Sequence, residues 1–466
     1  MFISGKEVWP IIEGGKGIGA TNGITAGNFA KAGAVGTFSG AMARSVDEFG
    51  NIKEEIFKGK TRLERHKESI DFSIKGGIDQ ARIATDIDSA GNGRIHMNVL
   101  WEMGSCAEIL QGILEGTKNG VKNLIHGVTS GAGMPYKLAE IASKFKVYYY
   151  PIVSSSRAFA ILWKRAYKNF SEFLGGVVYE DPWLAGGHNG LSNAEDPNKP
   201  LDPKERVIDL RKSMNEFGLH RTPIVMAGGV WNLNEWKDYI DDPRIAPVAF
   251  QFGTRPLVTK ETPIKEHWIK KIFTLKEGDI FLNKFSPTGF YSSAVRNKFL
   301  QRLIDRSERQ VSYSDEKTDN FDYRFVYNKN LDRAIYVRLN DQERIEKWVS
   351  DGFTEIMKTP DNTVIFVSPS EKKQIVTDQI NCVGCLSHCR FSNWKDHNDH
   401  TTGIKPDPRS FCIQKTLKSA VYGDDIENDL MFSGHNGFRF VKDPWYQGGK
   451  FIPTIKELVD RILTGF

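Results

Sequence analysis

His188 stands in the run Asp181-Pro182-Trp183-Leu184-Ala185-Gly186-Gly187-His188-Asn189-Gly190, directly after the apolar, strand-like stretch 175–180. An imidazole gives or takes a proton near neutral pH, and the flanking glycines let the backbone come close to a flat ligand. The loop past the C-terminal end of a strand is where an α/β barrel carries its chemistry. The same residues would also make an ordinary glycine-rich turn.

Three further glycine loops follow strand-like segments. The first, Glu13-Gly14-Gly15-Lys16-Gly17-Ile18-Gly19-Ala20-Thr21-Asn22-Gly23, permits close approach to a ring or phosphate but has neither the Walker nor the Rossmann context. The other two, Ala227-Gly228-Gly229-Val230 and Gly253-Thr254-Arg255, fall after the seventh and eighth predicted strands, where barrels hold phosphate.

Four of the five cysteines are clustered as Cys382-x2-Cys385-x3-Cys389-x22-Cys412. Four soft ligands so close together read as a metal segment, either a [4Fe-4S] cluster or a zinc site, with free thiols as the remaining alternative. His388, His397 and His400 lie nearby as substitute zinc ligands, and Phe391, Trp394, Phe411 and Leu417 as apolar cover. Cys106, before an apolar helix, reads as a buried small hydrophobe. Gly434-His435-Asn436-Gly437 echoes residues 187–190, with His435 either near the barrel mouth or, the favoured reading, in a plain turn.

The elements that must position these residues alternate between short apolar runs and helical patterns from Val8 to about Val258. Strands are predicted at Val8–Ile12, Ala34–Phe38, Ile95–Leu100, Asn123–His126, Val147–Ile152, Gly176–Tyr179, Pro223–Met226 and Pro247–Gln251. Helices are predicted after Arg62 and over Ala107–Lys118, Pro135–Lys144, Arg157–Lys168, Pro203–Phe217 and Leu233–Tyr239. Eight such strands predict a (β/α)8 TIM barrel. The expected fold class is α/β, with a small C-terminal α/β appendage and the cysteine-ligated metal segment. The expected division is 1–305 barrel, 306–380 appendage, 381–420 cysteine segment and 421–466 a tail in which Ile455–Leu463 returns to the barrel. Tyr148, Tyr149 and Tyr150 alternate inward and outward in one strand.

Taken together, Pro10-Ile11-Ile12-Glu13-Gly14-Gly15, Gly131-Ala132-Gly133-Met134-Pro135, Ala185-Gly186-Gly187-His188, Ala227-Gly228-Gly229 and Gln251-Phe252-Gly253-Thr254-Arg255 resemble the nitronate monooxygenase family. That family was once called the 2-nitropropane dioxygenases and is related to flavin-dependent enoyl-acyl-carrier-protein reductases. The resemblance spans roughly residues 8–300 and implies an FMN-binding barrel. It implies that the flavin phosphate rests on the backbone of Gly228, Gly229, Gly253 and Thr254, with Gln251 beside it. By the same resemblance the ring lies near Gly14, Gly15, Asn98 and Gly187, and His188 is catalytic. Glu13 and Lys16 depart from the Gln and Met usual in the family. A lysine there would favour an anionic reduced flavin, unless it pairs with Glu13.

The implied function is FMN-dependent oxidation of alkyl nitronates with O2. One alternative is an NAD(P)H-dependent enoyl-thioester reductase with an iron-sulfur relay, and another is an RNA- or protein-binding module on a flavin barrel. A net charge of +5, from 63 basic and 58 acidic residues with no long block of either sign, argues neither for nor against a nucleic-acid partner. No apolar stretch reaches membrane-spanning length, and the N-terminal residues show no secretory h-region. The expected location is therefore cytoplasmic and the expected partner a small-molecule substrate.

Overall fold

The computed structural model describes residues 1–328, 331–396 and 405–465. His397 and His400 lie outside them. Eight parallel strands close into a barrel: β1 Ile11–Glu13, β2 Val35–Ser39, β3 Arg94–Leu100, β4 Gly127–Gly131, β5 Tyr148–Val153, β6 Val177–Glu180, β7 Ile224–Ala227 and β8 Val248–Phe252. Closure runs through the Phe250 to Ile11 register on one side of β1 and Ile12 to Val35 on the other. The fold is a TIM barrel.

The fourth strand differs from the sequence expectation. Asn123–His126 only leads into it, and the strand itself is Gly127-Val128-Thr129-Ser130-Gly131, buried throughout. An apolar pattern misses it because the interior leaves room only for small residues here. A Cβ on Gly127 would fall 2.5 Å from His96 Nε2. Tyr149 packs in the core outside the barrel and Tyr150 within it, beside Ile12, Val35 and Val178.

Side-chain caps start the helices by taking up amide groups that have no partner in the first turn. In α1, Gly23–Lys31, Asn22 accepts from the amides of Ile24 and Thr25. In α2, Arg62–Ile87, Thr61 and Glu64 form a reciprocal capping box. Gly36 in β2 allows α1 to press onto the sheet, since a Cβ there would sit 1.8 Å from the Ala26 carbonyl oxygen. Helix Ile455–Thr464 buries Ile455, Leu458, Val459 and Ile462 in the same core as α1.

Above the barrel mouth lies a three-stranded sheet of Gly187–His188, β9 Ile280–Asn283 and β10 Ser292–Val295. Gly187 pairs with Ser293, His188 with Ser292, and Ala294 bridges to Phe432. Farther along the chain, residues 310–367 form a five-stranded antiparallel sheet. Ala334–Leu339 and Thr363–Val367 were the strands predicted there. Gln310–Ser314, Tyr323–Asn328 and Glu355–Lys358 are additional, and their mixed polar and apolar residues gave no apolar run to read.

The cysteine segment is tied to the loop after β3. Gly104 donates its amide to the Cys385 carbonyl at 3.0 Å, and Ser387 donates to the Glu102 carbonyl at 2.8 Å. Arg62 and Arg65 of α2 donate to the carbonyls of Ser392, Gln379 and Cys382. Among the described residues no helix is long and apolar enough to cross a membrane.

Candidate active site

All four glycine-loop regions meet in one cavity at the C-terminal face of the barrel. Gly14, Gly15, Asn98, Gly187, His188, Gly228, Gly229, Gln251, Gly253 and Thr254, spread over 240 residues of sequence, all line it. The space free of atoms is about 1340 Å3, its open mouth included.

The glycines have local reasons. A Cβ on Gly15 would fall 2.2 Å from Asn98 Cβ, so only glycine lets the β1 loop lie against the end of β3. Asn98 is itself held by donating from Nδ2 to Thr129 Oγ1 at 3.0 Å. Gly228 and Gly229 have φ of +90° and +77°, values that favour glycine. Gly253 differs from these: its backbone is ordinary and a Cβ there would meet nothing within 4 Å. Its bare backbone faces open cavity.

Asp181 shapes the β6 loop, because its Oδ1 accepts from the amides of Trp183 and Leu184, both at 2.9 Å. The chain then turns back so that Gly187–His188 joins β10. His188 Nε2 is 2.6 Å from Ser286 Oγ, and the ring meets Phe432 edge-on at 5.3 Å. Burial pushes the His188 imidazole down to about 4, so it is neutral at pH 7. Glu180, at the end of β6, also lines the cavity, and burial, with Asp181 adding, pushes its carboxyl up to about 8.

Lys16 lines the cavity as well, with Nζ donating to the Gly14 carbonyl at 2.7 Å. Glu13 is buried beneath it and accepts at Oε2 from the Thr37 amide. Burial raises Glu13 and lowers Lys16, while their opposite charges work against both shifts. No ion-pair contact joins the two among the described residues, so the simple Glu13–Lys16 salt bridge is not what the fold builds.

The far wall comes from the C-terminal part of the chain. Leu417 and Ala420 of helix Ile413–Tyr422, together with Leu430, Met431 and Phe432, give it an apolar surface. Gly434 donates its amide to Thr254 Oγ1 at 2.8 Å, and Asn436 donates from Nδ2 to the Val230 carbonyl. The His435 turn therefore sits at the mouth, with His435 Nε2 3.0 Å from Ser293 Oγ, rather than in a plain surface turn.

Sequence reasoning missed Glu180, Ser286 and this wall. A carboxylate closing a barrel strand was a readable signal for Glu180. Nothing local marked the others.

Cys382, Cys385, Cys389 and Cys412 belong to one apolar cluster with Phe391, Trp394, Phe411 and Leu417. The expected ligand set is nonetheless not assembled for a metal ion: no three His, Cys, Asp or Glu side chains among the described residues stand together at such spacing. Cys382 Sγ instead accepts from the Gly384 amide and the Ser392 hydroxyl. Cys106 is buried in the barrel core, and burial holds its thiol protonated.

No family model and no curated protein matches the sequence. Solved structures do. FabK from Thermotoga maritima matches with a TM-score of 0.54 and 14% identity, over 98% of this chain and 93% of that one. The enoyl reductase domain of MlnA, from the macrolactin biosynthesis cluster of Bacillus amyloliquefaciens, matches with a TM-score of 0.53 and 10% identity, over 98% and 93%. At such identities what is shared is the fold.

Proposed function

We propose that this chain is an FMN-dependent oxidoreductase that reduces a neutral, apolar substrate of the enoyl-thioester type, with NAD(P)H as the hydride source. The observation carrying this reading is a cavity that brings the Glu180 carboxyl, which burial pushes up to about 8, and the His188 imidazole, which burial pushes down to about 4, together with an apolar wall. The residues suit FMN. The open backbone at Gly253 and the positive-φ turn at Gly228 and Gly229 leave a cradle for a phosphate, and the backbone of Gly14 and Gly15 lines the same cavity.

Bound there, FMN supplies the hydride chemistry that side chains lack. Reduction of a carbon–carbon double bond takes two electrons with a hydride, which NAD(P)H gives up, and one balancing proton. Glu180 holds such a proton on its carboxyl at pH 7, and His188, neutral, can orient the substrate carbonyl or pass the proton on. Leu184, Leu417, Leu430 and Phe432 exclude water from an acyl chain.

Oxidation of alkyl nitronates with O2 is the second reading. Lys16 favours it, since a nitronate is an anion and a cation in the cavity wall would hold it. Anaerobic mixing with NADH or NADPH separates the two: bleaching of the flavin, followed by reoxidation with a 2-enoyl thioester, is the expected result. No bleaching, with turnover of ethyl nitronate in air, would reverse the order.

For the cysteines we propose a [4Fe-4S] cluster over zinc. This reading is supported by the sequence spacing of the four cysteines and their shared apolar cover. An RNA- or protein-binding role has less support, because the segment's backbone groups are taken up by the barrel.

Two results are expected. Gly253→Ala meets no atom in the protein, so its Tm without flavin stays unchanged, yet its methyl projects into the phosphate cradle and weakens FMN binding by about 10-fold or more. Equal FMN affinity, read by fluorescence quenching, would place the phosphate elsewhere. The pH profile should be bell-shaped. His188 is neutral above about 4 and Glu180 keeps its proton below about 8, so both are in the required form between those limits. Glu180→Gln stays uncharged at every pH. The same raised pKa makes wild type lose stability as pH rises from the unfolded carboxylate value through about 8. The Gln variant should therefore melt higher than wild type at pH 9 and equally at pH 4.

A further inference from the structure

We propose that Ser286 is a positioning residue for His188, and that the cysteine segment holds it in place. This rests on His188 acting at the cavity. Ser286 lies in the loop between β9 and β10 and is 3% exposed. Its Oγ is 2.6 Å from His188 Nε2 and 2.8 Å from Thr288 Oγ1, and it accepts from the Thr288 amide at 3.4 Å. Thr288 Oγ1 in turn accepts from the Phe290 amide. These bonds fix the position of the serine oxygen.

The carbonyls on either side of Ser286 are bound by the cysteine segment. Ser410 Oγ donates to the Phe285 carbonyl at 2.6 Å, and the Arg390 amide donates to the Pro287 carbonyl at 3.0 Å. The Arg390 guanidinium also lies over Gly289, where a Cβ would fall 2.2 Å from its Cζ. Ser410 is held from behind by Arg306, which donates to its carbonyl at 3.0 Å. Segments more than one hundred residues away in sequence therefore clamp a three-residue loop whose middle hydroxyl meets the imidazole.

The chemical consequence is a choice of ring nitrogen. Ser286 engages Nε2, so Nδ1 is left without a partner among the described residues and is the atom a substrate meets. A neutral imidazole carries one proton, and its tautomer decides whether that face donates or accepts. Ser286 holds the ring plane and biases the tautomer, and the cysteine segment holds Ser286.

The test is 15N NMR of the purified holoprotein labelled in its ten histidines, with the His188 signal assigned by its loss in His188→Gln. Wild type should show a single tautomer for His188. Ser286→Ala should move the signal toward the average of two tautomers and lower kcat about 10-fold with KM little changed, the pattern of a misplaced group. Ser286→Thr, which keeps the hydroxyl, should restore both. Ser410→Ala, distant from the ring, should shift the His188 signal in the same sense. An unchanged His188 signal in either alanine variant overturns the proposal. Full activity of His188→Gln would instead remove the acid–base reading, which the tautomer measurement does not depend on.

Discussion

His188→Gln is expected to lower kcat by about 10^2 to 10^4, the range for loss of a positioned acid–base group, while flavin stays bound. Several features of the site converge on this. The imidazole is brought over the cavity by a loop that Asp181 turns and β10 receives. Burial keeps it neutral at working pH, and its second nitrogen is already engaged by Ser286. Glutamine matches the reach of the side chain and can hydrogen-bond Ser286, but it cannot carry a proton between states. KM should change little, because the apolar wall rather than the ring provides most of the contact area with an acyl chain. Unchanged kcat with a normal flavin spectrum would mean that the proton comes from Glu180 alone.

Cys412→Ser is expected to have the second large effect. Cys412 is the residue from which helix Ile413–Tyr422 starts, and Leu417 of that helix lines the cavity. At a rise of about 1.5 Å per residue, five residues place Leu417 only about 7.5 Å along the axis from the cysteine. If the proposed cluster is bound there, loss of one thiolate removes iron and sulfide together, loosens that start and lets the wall drift from the cavity. Activity should fall more than about 10-fold, since misplacement on the scale of 1 Å is enough for that. FMN should still bind, because the proposed phosphate cradle lies on the loops after β7 and β8, away from Cys412. Unaltered iron and sulfide in Cys412→Ser, or zinc alone in wild type, would remove the cluster from this account.

Much of the site was legible because its chemistry sits on local motifs. Gly228, Gly229 and Gly253 follow their strands directly, and strands rich in Val, Ile and Phe announce themselves. β4 did not, since its glycines leave room for His96 and Ile152 on the two neighbouring strands and it carries no apolar run. Ser286 and the wall from Leu417 to Asn436 were illegible for a different reason. Their role exists only once a late part of the chain folds back over an early one, and no local spacing encodes that return. The cysteines lie between these cases: their spacing gathers them into one cluster, as Phe391 and Trp394 around them suggest, without fixing what they hold.

The most direct test of the central claim is the cofactor content of protein purified without oxygen, together with FMN titration of the stripped protein. One FMN per chain is expected, released as FMN, with the stripped protein rebinding FMN far better than riboflavin if the loops at Gly228 and Gly253 grip its phosphate. Folded protein that neither carries FMN nor takes it up would contradict that claim.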